Sequence, residues 1–195
     1  MENCKNELNK TECNGNKTDE LFKLFKDHNI DFHNIKHPEV FTVEAMLPHL
    51  QTLDLEKNDA ITKNLFLKDK KGKLYLLAAL HDKSVNLGHL CKSLKASGSL
   101  RFASEEVLNE VLCVKQGSVT AFALMNDSEN RVQFWADEDL FVNFSKIYFH
   151  PLVNNASTGI SCEDFKRFVQ ITGHELNVVK MYTFFFGSAV FIVFW

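Results

Sequence analysis

The chain has 195 residues, 45% of them hydrophobic and 24% charged, with only three prolines and eight glycines. That composition suits one compact domain and excludes collagen, a disordered polyelectrolyte and a disulfide mini-scaffold. The formal net charge of -3 excludes a generally basic nucleic-acid binder, yet Lys57 to Arg101 carries ten basic residues against three acidic ones. This central segment could offer an anion site between acidic flanks, or simply a solvated face of lysines.

Residues 1–17 are rich in Asn, Lys and Glu without a hydrophobic period and are expected to be a disordered polar tail. Thr18 is the expected N-cap of an amphipathic helix carrying Leu21, Phe22, Leu24 and Phe25 and ending near His28. After His37-Pro38, residues 40–43 read as a strand. Residues 43–50 read as a helix. Lys63 to Leu67 and Lys73 to Ala78 form the clearest hairpin, closed by Asp69-Lys70-Lys71-Gly72. Helices are expected from Asn86 to Lys95 and from Ser104 onward, the latter with Glu105 and Glu106 in its first turn.

Gly117 to Thr120 reads as a loop entering a strand over 121–125. A further strand covers 133–135, and a turn or short helix opens at Asp137. The strand 147–149 ends at His150-Pro151. Residues 157–160 read as a strand, followed by a helix capped by Ser161 and stopped by Gly173, and 174–179 as a last strand. Strands and helices mix without regular βαβ repeats. The expected class is therefore α+β: a mixed, partly barrel-like sheet with helices packed around it.

Five scattered cysteines without a C-x-x-C pair argue against a disulfide framework and a structural zinc site. A reducing, cytoplasmic setting is the simplest inference, and polar residues 1–20 carry no secretory leader. Residues 181–195 are uncharged and very apolar, but shorter than the roughly twenty residues that span a bilayer. This tail is either a non-native terminus, a membrane-interface or anchoring segment, or a strand of chain packed on the domain. A membrane partner is expected only if it is real.

The usual catalytic templates are missing: no G-x-S-x-G elbow, P-loop, G-x-G-x-x-G or H-E-x-x-H occurs. His33 and His37 are four apart, but Pro38 makes a helical metal site there improbable, and no metal or other cofactor is expected. What remains is a set of polar residues at strand ends and loops: Lys63-Asn64, Gly117-Ser118, and His150-Pro151 with Asn154 and Thr158. Each alone has an ordinary structural explanation, as a solvated strand end, a turn glycine or a core histidine.

Together they carry a resemblance. Lys63-Asn64-Leu65-Phe66-Leu67-Lys68-Asp69, Leu100 to Ser104, Gly117-Ser118-Val119-Thr120 and Phe149 to Thr158 occur in order. This pattern resembles the aminoacyl-tRNA editing domain family of the YbaK and prolyl-tRNA synthetase-associated type, and most of all its free-standing members. The resemblance spans about residues 18–179 and implies a domain over 18–180. It implies a trans-editing deacylase that hydrolyses mischarged tRNA(Pro), most of all alanyl-tRNA(Pro). The partners would be aminoacyl-tRNA through its CCA end and prolyl-tRNA synthetase. By that resemblance Lys63 would hold the terminal adenosine or its phosphate, Asn64 would orient the ribose and ester, and the Gly117 backbone would approach the aminoacyl carbonyl. Phe41, Thr42, Ser118, His150, Asn154 and Thr158 would line or support the substrate pocket. Water would attack, so no Ser or Cys triad is needed. The chain departs from the family's Gly-x-x-x-Pro loop at Ala121, and Cys113 stands where glycine is expected. Ala121 frees φ. Weakened activity is therefore expected, with a paralogue that binds tRNA or a synthetase without hydrolysis as the alternative.

Overall fold

The computed structural model describes residues 16–39, 56 and 58–181. The described residues open with α1 (Lys17–Asp27), whose buried stripe is Leu21 and Phe25, with Asp19 and Glu20 near its N-terminus and Lys26 in its last turn; both charge placements suit the helix dipole. Its N-cap is Asn16, not Thr18. The Thr18 hydroxyl instead donates to the Pro151 carbonyl at 2.7 Å, tying the helix to the His150-Pro151 segment.

The strands are β1 (Phe32–Lys36), β2 (Asp59–Lys68), β3 (Leu74–Leu80), β4 (Arg101–Phe102), β5 (Val132–Asp137), β6 (Lys146–Phe149), β7 (Ala156–Ser161) and β8 (Asn177–Val179). They lie in the order β1-β7-β6-β2-β3-β5-β8, with β4 added to β2. Pairings β2·β6, β3·β5 and β5·β8 are parallel and the rest antiparallel. The sheet is thus mixed, as expected, and open, with β1 and β8 at its two ends. The remaining helices are α2 (Leu87–Ser93), α3 (Glu105–Leu112), α4 (Asp139–Val142) and α5 (Cys162–Ile171). α5 starts at Ser161, whose hydroxyl accepts the Asp164 N–H at 3.0 Å, and the chain turns away at Gly173 with φ 79°.

Alternation along the strands divides the core in two. Ala60, Phe66, Leu76, Ala78 and Phe134 face the larger cluster, with α1, α3 and α5. Leu65, Leu67, Tyr75, Leu77 and Ala79 face the smaller one, covered by Leu90 and Leu94. Much of the phenylalanine is spent in the larger core. Phe25, Phe122 and Phe168 meet edge to face at 5.3 to 5.8 Å, and Phe149 stacks on Phe165 at 4.8 Å. At the β2–β3 turn the Asp69 carboxylate accepts N–H groups of Lys71, Lys73 and Ser97 and the Tyr75 hydroxyl. Burial pushes this carboxyl up, but those four donors outweigh it and hold its pKa below the ordinary value.

Three local readings differ in the structure. Residues 121–126 form a 3-10 helix, not a strand, because the Thr120 hydroxyl accepts the Phe122 N–H at 3.2 Å and caps the turn. Strands β1 and β4 were not anticipated. Cys91 and Cys162 are free thiols, whereas Cys113, in the left-handed conformation that ends α3, is disulfide-bonded. Met181, the first residue of the apolar tail, packs against the smaller core, as one of the three readings of that tail allows, and its carbonyl accepts from Lys83 Nζ at 3.3 Å. The strand over 40–43, the helix over 43–50, Phe41, Thr42 and residues 182–195 lie outside the described residues. No helix among the described residues is long and apolar enough to cross a membrane.

Candidate active site

Strand β2 is ten residues long, and β3 pairs with it from Thr62 to Lys68. The opposite edge is shared. β6 pairs with Asp59 to Ile61, β4 pairs with Leu67 and Lys68, and the Ala103 N–H reaches the Phe66 carbonyl at 3.1 Å. Between these two partners, no described strand lies opposite residues 63–65. The Ile61 carbonyl accepts from His81 on the β3 side and the Phe66 carbonyl from Ala103 on the other. Backbone groups alternate along a strand. The N–H and C=O of Asn64 therefore point into the opening between β4 and β6. The Lys63-Asn64 pair singled out by sequence sits at this break.

The two side chains face opposite ways, as neighbours on a strand must. Lys63 is only 2% exposed. Its ammonium donates to the carbonyls of His81, at 3.1 Å, and Lys83. The loop after β3 thus holds its charge. That loop is itself fastened by the Lys83–Asp139 ion pair. Burial alone would lower the Lys83 pKa, but the Asp139 hydrogen bond and the charges of Asp137, Asp139 and Asp82 raise it. Asp137, wholly buried beside them, has its carboxyl pushed up mainly by burial.

Asn64 faces the larger core. It is 6% exposed, and its Oδ1 has no partner among the described residues. Two residues on and on the same face, Phe66 joins Ala103, Leu108, Gln116 and Val119 around a cavity of about 20 Å³, room for one water. Gln116 and Val119 flank Gly117 and Ser118, so the cavity touches the two ends of the glycine loop. Gly117 has φ 84°, a left-handed backbone that a side chain would strain. Ser118 is buried, and its N–H bonds the Lys115 carbonyl at 3.0 Å. Ala121 is the first residue of the 3-10 helix that follows, where a missing N–H is tolerated best.

On the Lys63 side lie two histidines. His150 Nδ1 donates to the Ala156 carbonyl at 3.1 Å, and burial lowers its pKa. His37, its ring 6.3 Å away, donates Nδ1–H to the Pro38 carbonyl and meets Ser157 Oγ through Nε2 at 3.0 Å. Neither was paired with the other by sequence, where His37 was weighed only with His33. His33 Nδ1 instead meets the Tyr148 hydroxyl at 3.0 Å. The turn after His150 is strained: buried Leu152 has φ 67°, a conformation costing about 1–3 kcal/mol that surrounding structure must hold. Asn154 sits half-buried in that turn. Thr158 is fully buried on the larger-core side and donates to Asn34 Oδ1 at 2.7 Å.

The structure therefore brings Asn64 and the Gly117-Ser118 loop to one face, and Lys63, His150 and Ser157 to the other, with the opening in the sheet between. Thr158 stands apart, one row into the core. Thr62, which fixes Asn64, was missed by sequence, although a hydroxyl two residues from a buried amide on one strand is a legible signal. Of the basic segment, Lys68 and Arg101 lie opposite each other in β2 and β4. The Gly98 backbone turns over the Lys70 side chain beside them. The positive charge thus gathers at the β4 end of the opening.

Residues 37–168 match the aminoacyl-tRNA editing domain family. A Bos taurus protein named prolyl-tRNA synthetase associated domain-containing protein 1 is 49% identical over 144 residues, covering 72% of this chain and 81% of its own. The prolyl-tRNA editing protein ProX of Acetoanaerobium sticklandii is 34% identical over 153 residues, covering 78% and 90%. Among solved structures, one of a proposed trans-editing enzyme for prolyl tRNA synthetase superposes with TM-score 0.61 at 16% identity, over 86% of this chain and 99% of that one; at that identity the likeness concerns the fold.

Proposed function

The chain belongs to the aminoacyl-tRNA editing domain family, and on that premise we propose that it is a trans-editing deacylase that removes alanine from mischarged tRNA(Pro). The observation that carries this reading is the break in β2. A lysine and an asparagine face opposite sides there; the Asn64 peptide group points into the opening, and its buried amide oxygen, on the larger-core side, has no partner among the described residues. A synthetase pocket built for proline rejects the smaller alanine only modestly, so a second sieve is needed.

In this reading the 3′-terminal adenosine enters the opening between β4 and β6. Lys63 meets the adenosine or its phosphate with an ammonium oriented by the His81 and Lys83 carbonyls. The Gly117 backbone approaches the ester carbonyl, where N–H groups stabilise the developing oxyanion. Water adds to that carbonyl, the bond to the ribose oxygen breaks, and one water proton ends on the ribose hydroxyl. Alanine leaves as the carboxylate, and the second proton goes to solvent. Phe41, Thr42, Ser118, His150 and Asn154 bound the small side-chain pocket, and Thr158 supports it from the core. The basic residues near Lys68 and Arg101 meet acceptor-end phosphates. Prolyl-tRNA synthetase is the partner that releases the mischarged product, and a cytoplasmic location follows from that partnership.

The test is single-turnover deacylation of alanyl-tRNA(Pro), with alanyl-tRNA(Ala) and prolyl-tRNA(Pro) as controls and Lys63→Ala alongside. Selective release of alanine that falls at least a hundredfold, about 2.7 kcal/mol, in Lys63→Ala supports the reading. Binding of tRNA without release replaces it with the non-hydrolysing alternative, for which Ala121 in the glycine loop is the motivating departure.

A further inference from the structure

The asparagine at the break has a fixed polarity, and the residue that fixes it is Thr62. The Thr62 hydroxyl donates to the Tyr148 carbonyl at 2.8 Å. A hydroxyl has one proton, so only lone pairs remain for Asn64. The Asn64 amide nitrogen lies 3.5 Å from Thr62 Oγ1, a long contact with one possible sense: NH2 toward Thr62, Oδ1 away from it. The reverse rotamer would set two oxygens against each other with no proton between them. The carbonyl oxygen so presented is buried and has no partner among the described residues. Leaving such an acceptor dry costs about 1–3 kcal/mol, a cost that a bound donor would remove.

We propose that Thr62 is a positioning residue that locks Asn64 as a hydrogen-bond acceptor, and that Asn64 Oδ1 receives an N–H or O–H donor of the aminoacyl-adenosine end. This rests on the deacylase reading and deepens it. Asn64 does not polarise the ester carbonyl, because a carbonyl offers no proton to an acceptor. It anchors either the α-ammonium of the amino acid or the ribose 2′-hydroxyl, while oxyanion stabilisation falls to backbone N–H groups. Tyr148 enters only through its carbonyl, so β6 sets the polarity of a side chain on β2 across the last rung before the sheet parts.

The experiment measures binding rather than turnover. The probe is a non-hydrolysable adenosine carrying 3′-amide-linked alanine. Two relatives lack a donor each: one has propionyl in place of alanyl, the other is the 2′-deoxy compound. The proteins are the full chain, Thr62→Val, which is nearly isosteric without the hydroxyl, and Thr62→Ser, which keeps it. Thermal melting establishes that each is folded. Wild type should bind the complete probe about tenfold more tightly than one of the two relatives, and which relative is weak identifies the donor. Thr62→Val should bind the complete probe about tenfold more weakly and lose that discrimination. Thr62→Ser should restore both. Unchanged discrimination in folded Thr62→Val, or failure of Thr62→Ser to restore it, overturns the positioning role. Wild type that binds all three probes equally, or none, overturns the acceptor assignment. Tight, discriminating binding in a protein that never hydrolyses alanyl-tRNA(Pro) overturns the deacylase reading alone.

Discussion

Asp127 and His174 meet in the interior: His174 Nε2 lies 3.1 Å from Asp127 Oδ2, with the two side chains only 2% and 1% exposed. The same carboxylate accepts the N–H groups of Arg131 and Val132. It thereby joins the turn before β5 to the end of α5. Burial pushes the Asp127 carboxyl up, but His174 and the two backbone donors outweigh it and leave its pKa below the ordinary value of 3.8. A carboxyl depressed on folding contributes stability in full above its unfolded pKa, and that contribution is lost as pH falls through the folded one. Asp127→Asn should therefore cost about 2–3 kcal/mol at neutral pH and flatten the acid limb of the melting profile below about pH 4. Urea titrations of both proteins between pH 3 and 7 check this; parallel curves would refute it.

Proline at position 121 should stabilise the fold. The Ala121 site opens a capped 3-10 turn, where a fixed φ and a missing N–H are both tolerated. Ala121→Pro should raise stability by about 0.4–1 kcal/mol. Deacylation should stay level or rise as the glycine loop stiffens. A lower melting temperature would show that the turn needs freedom at this residue.

Gly159 leaves room for the Tyr148 ring. A methyl group there would stand 2.4 Å from Tyr148 Cζ, far inside contact distance, with the ring also bonded to His33. Gly159→Ala should destabilise by about 1–3 kcal/mol. Because the Tyr148 carbonyl holds Thr62, it should also weaken binding of the alanyl-amide adenosine. Melting and binding measured on the same protein separate these effects.

Lys83 Nζ donates to the Met181 carbonyl at 3.3 Å, and we propose that this contact contributes to the stability of the domain. A chain ending at Lys180 loses that acceptor and should be about 1 kcal/mol less stable than one ending at Met181. Comparing the two by thermal melting tests the contact. Equal stability would make the contact incidental.

Much of this was legible in residues. Ser161 and Gly173 bracket α5 with a cap and a stop, and Asp69 to Gly72 announces the β2–β3 turn. The misses share a cause: the deciding interaction is not local. Residues 121–125 are an apolar run that suits strand or helix equally, and a hydroxyl bond from Thr120 to Phe122 tips it. Arg101 and Phe102 are too few to show a period, and only β2 makes them a strand. At the candidate site, the motifs carry no geometry. Adjacent letters Lys63 and Asn64 suggest joint action on one group. Strand alternation, available from the sequence, already sends them to opposite faces. The break between them depends on where β4 and β6 stop, which no run of residues records.

That break has a consequence for exchange with solvent. The amides of β2 that point to β3 belong to a continuous ladder, whereas the Asn64 amide points into the opening and has no described strand across from it. In deuterated water it should exchange early, beside neighbours that stay protected until the domain opens. A ligand seated between β4 and β6 would act as the missing strand. The Asn64 amide would slow while Lys63 and Leu65 changed little, so a single peptide signal would report occupancy of the site before any reaction is assayed.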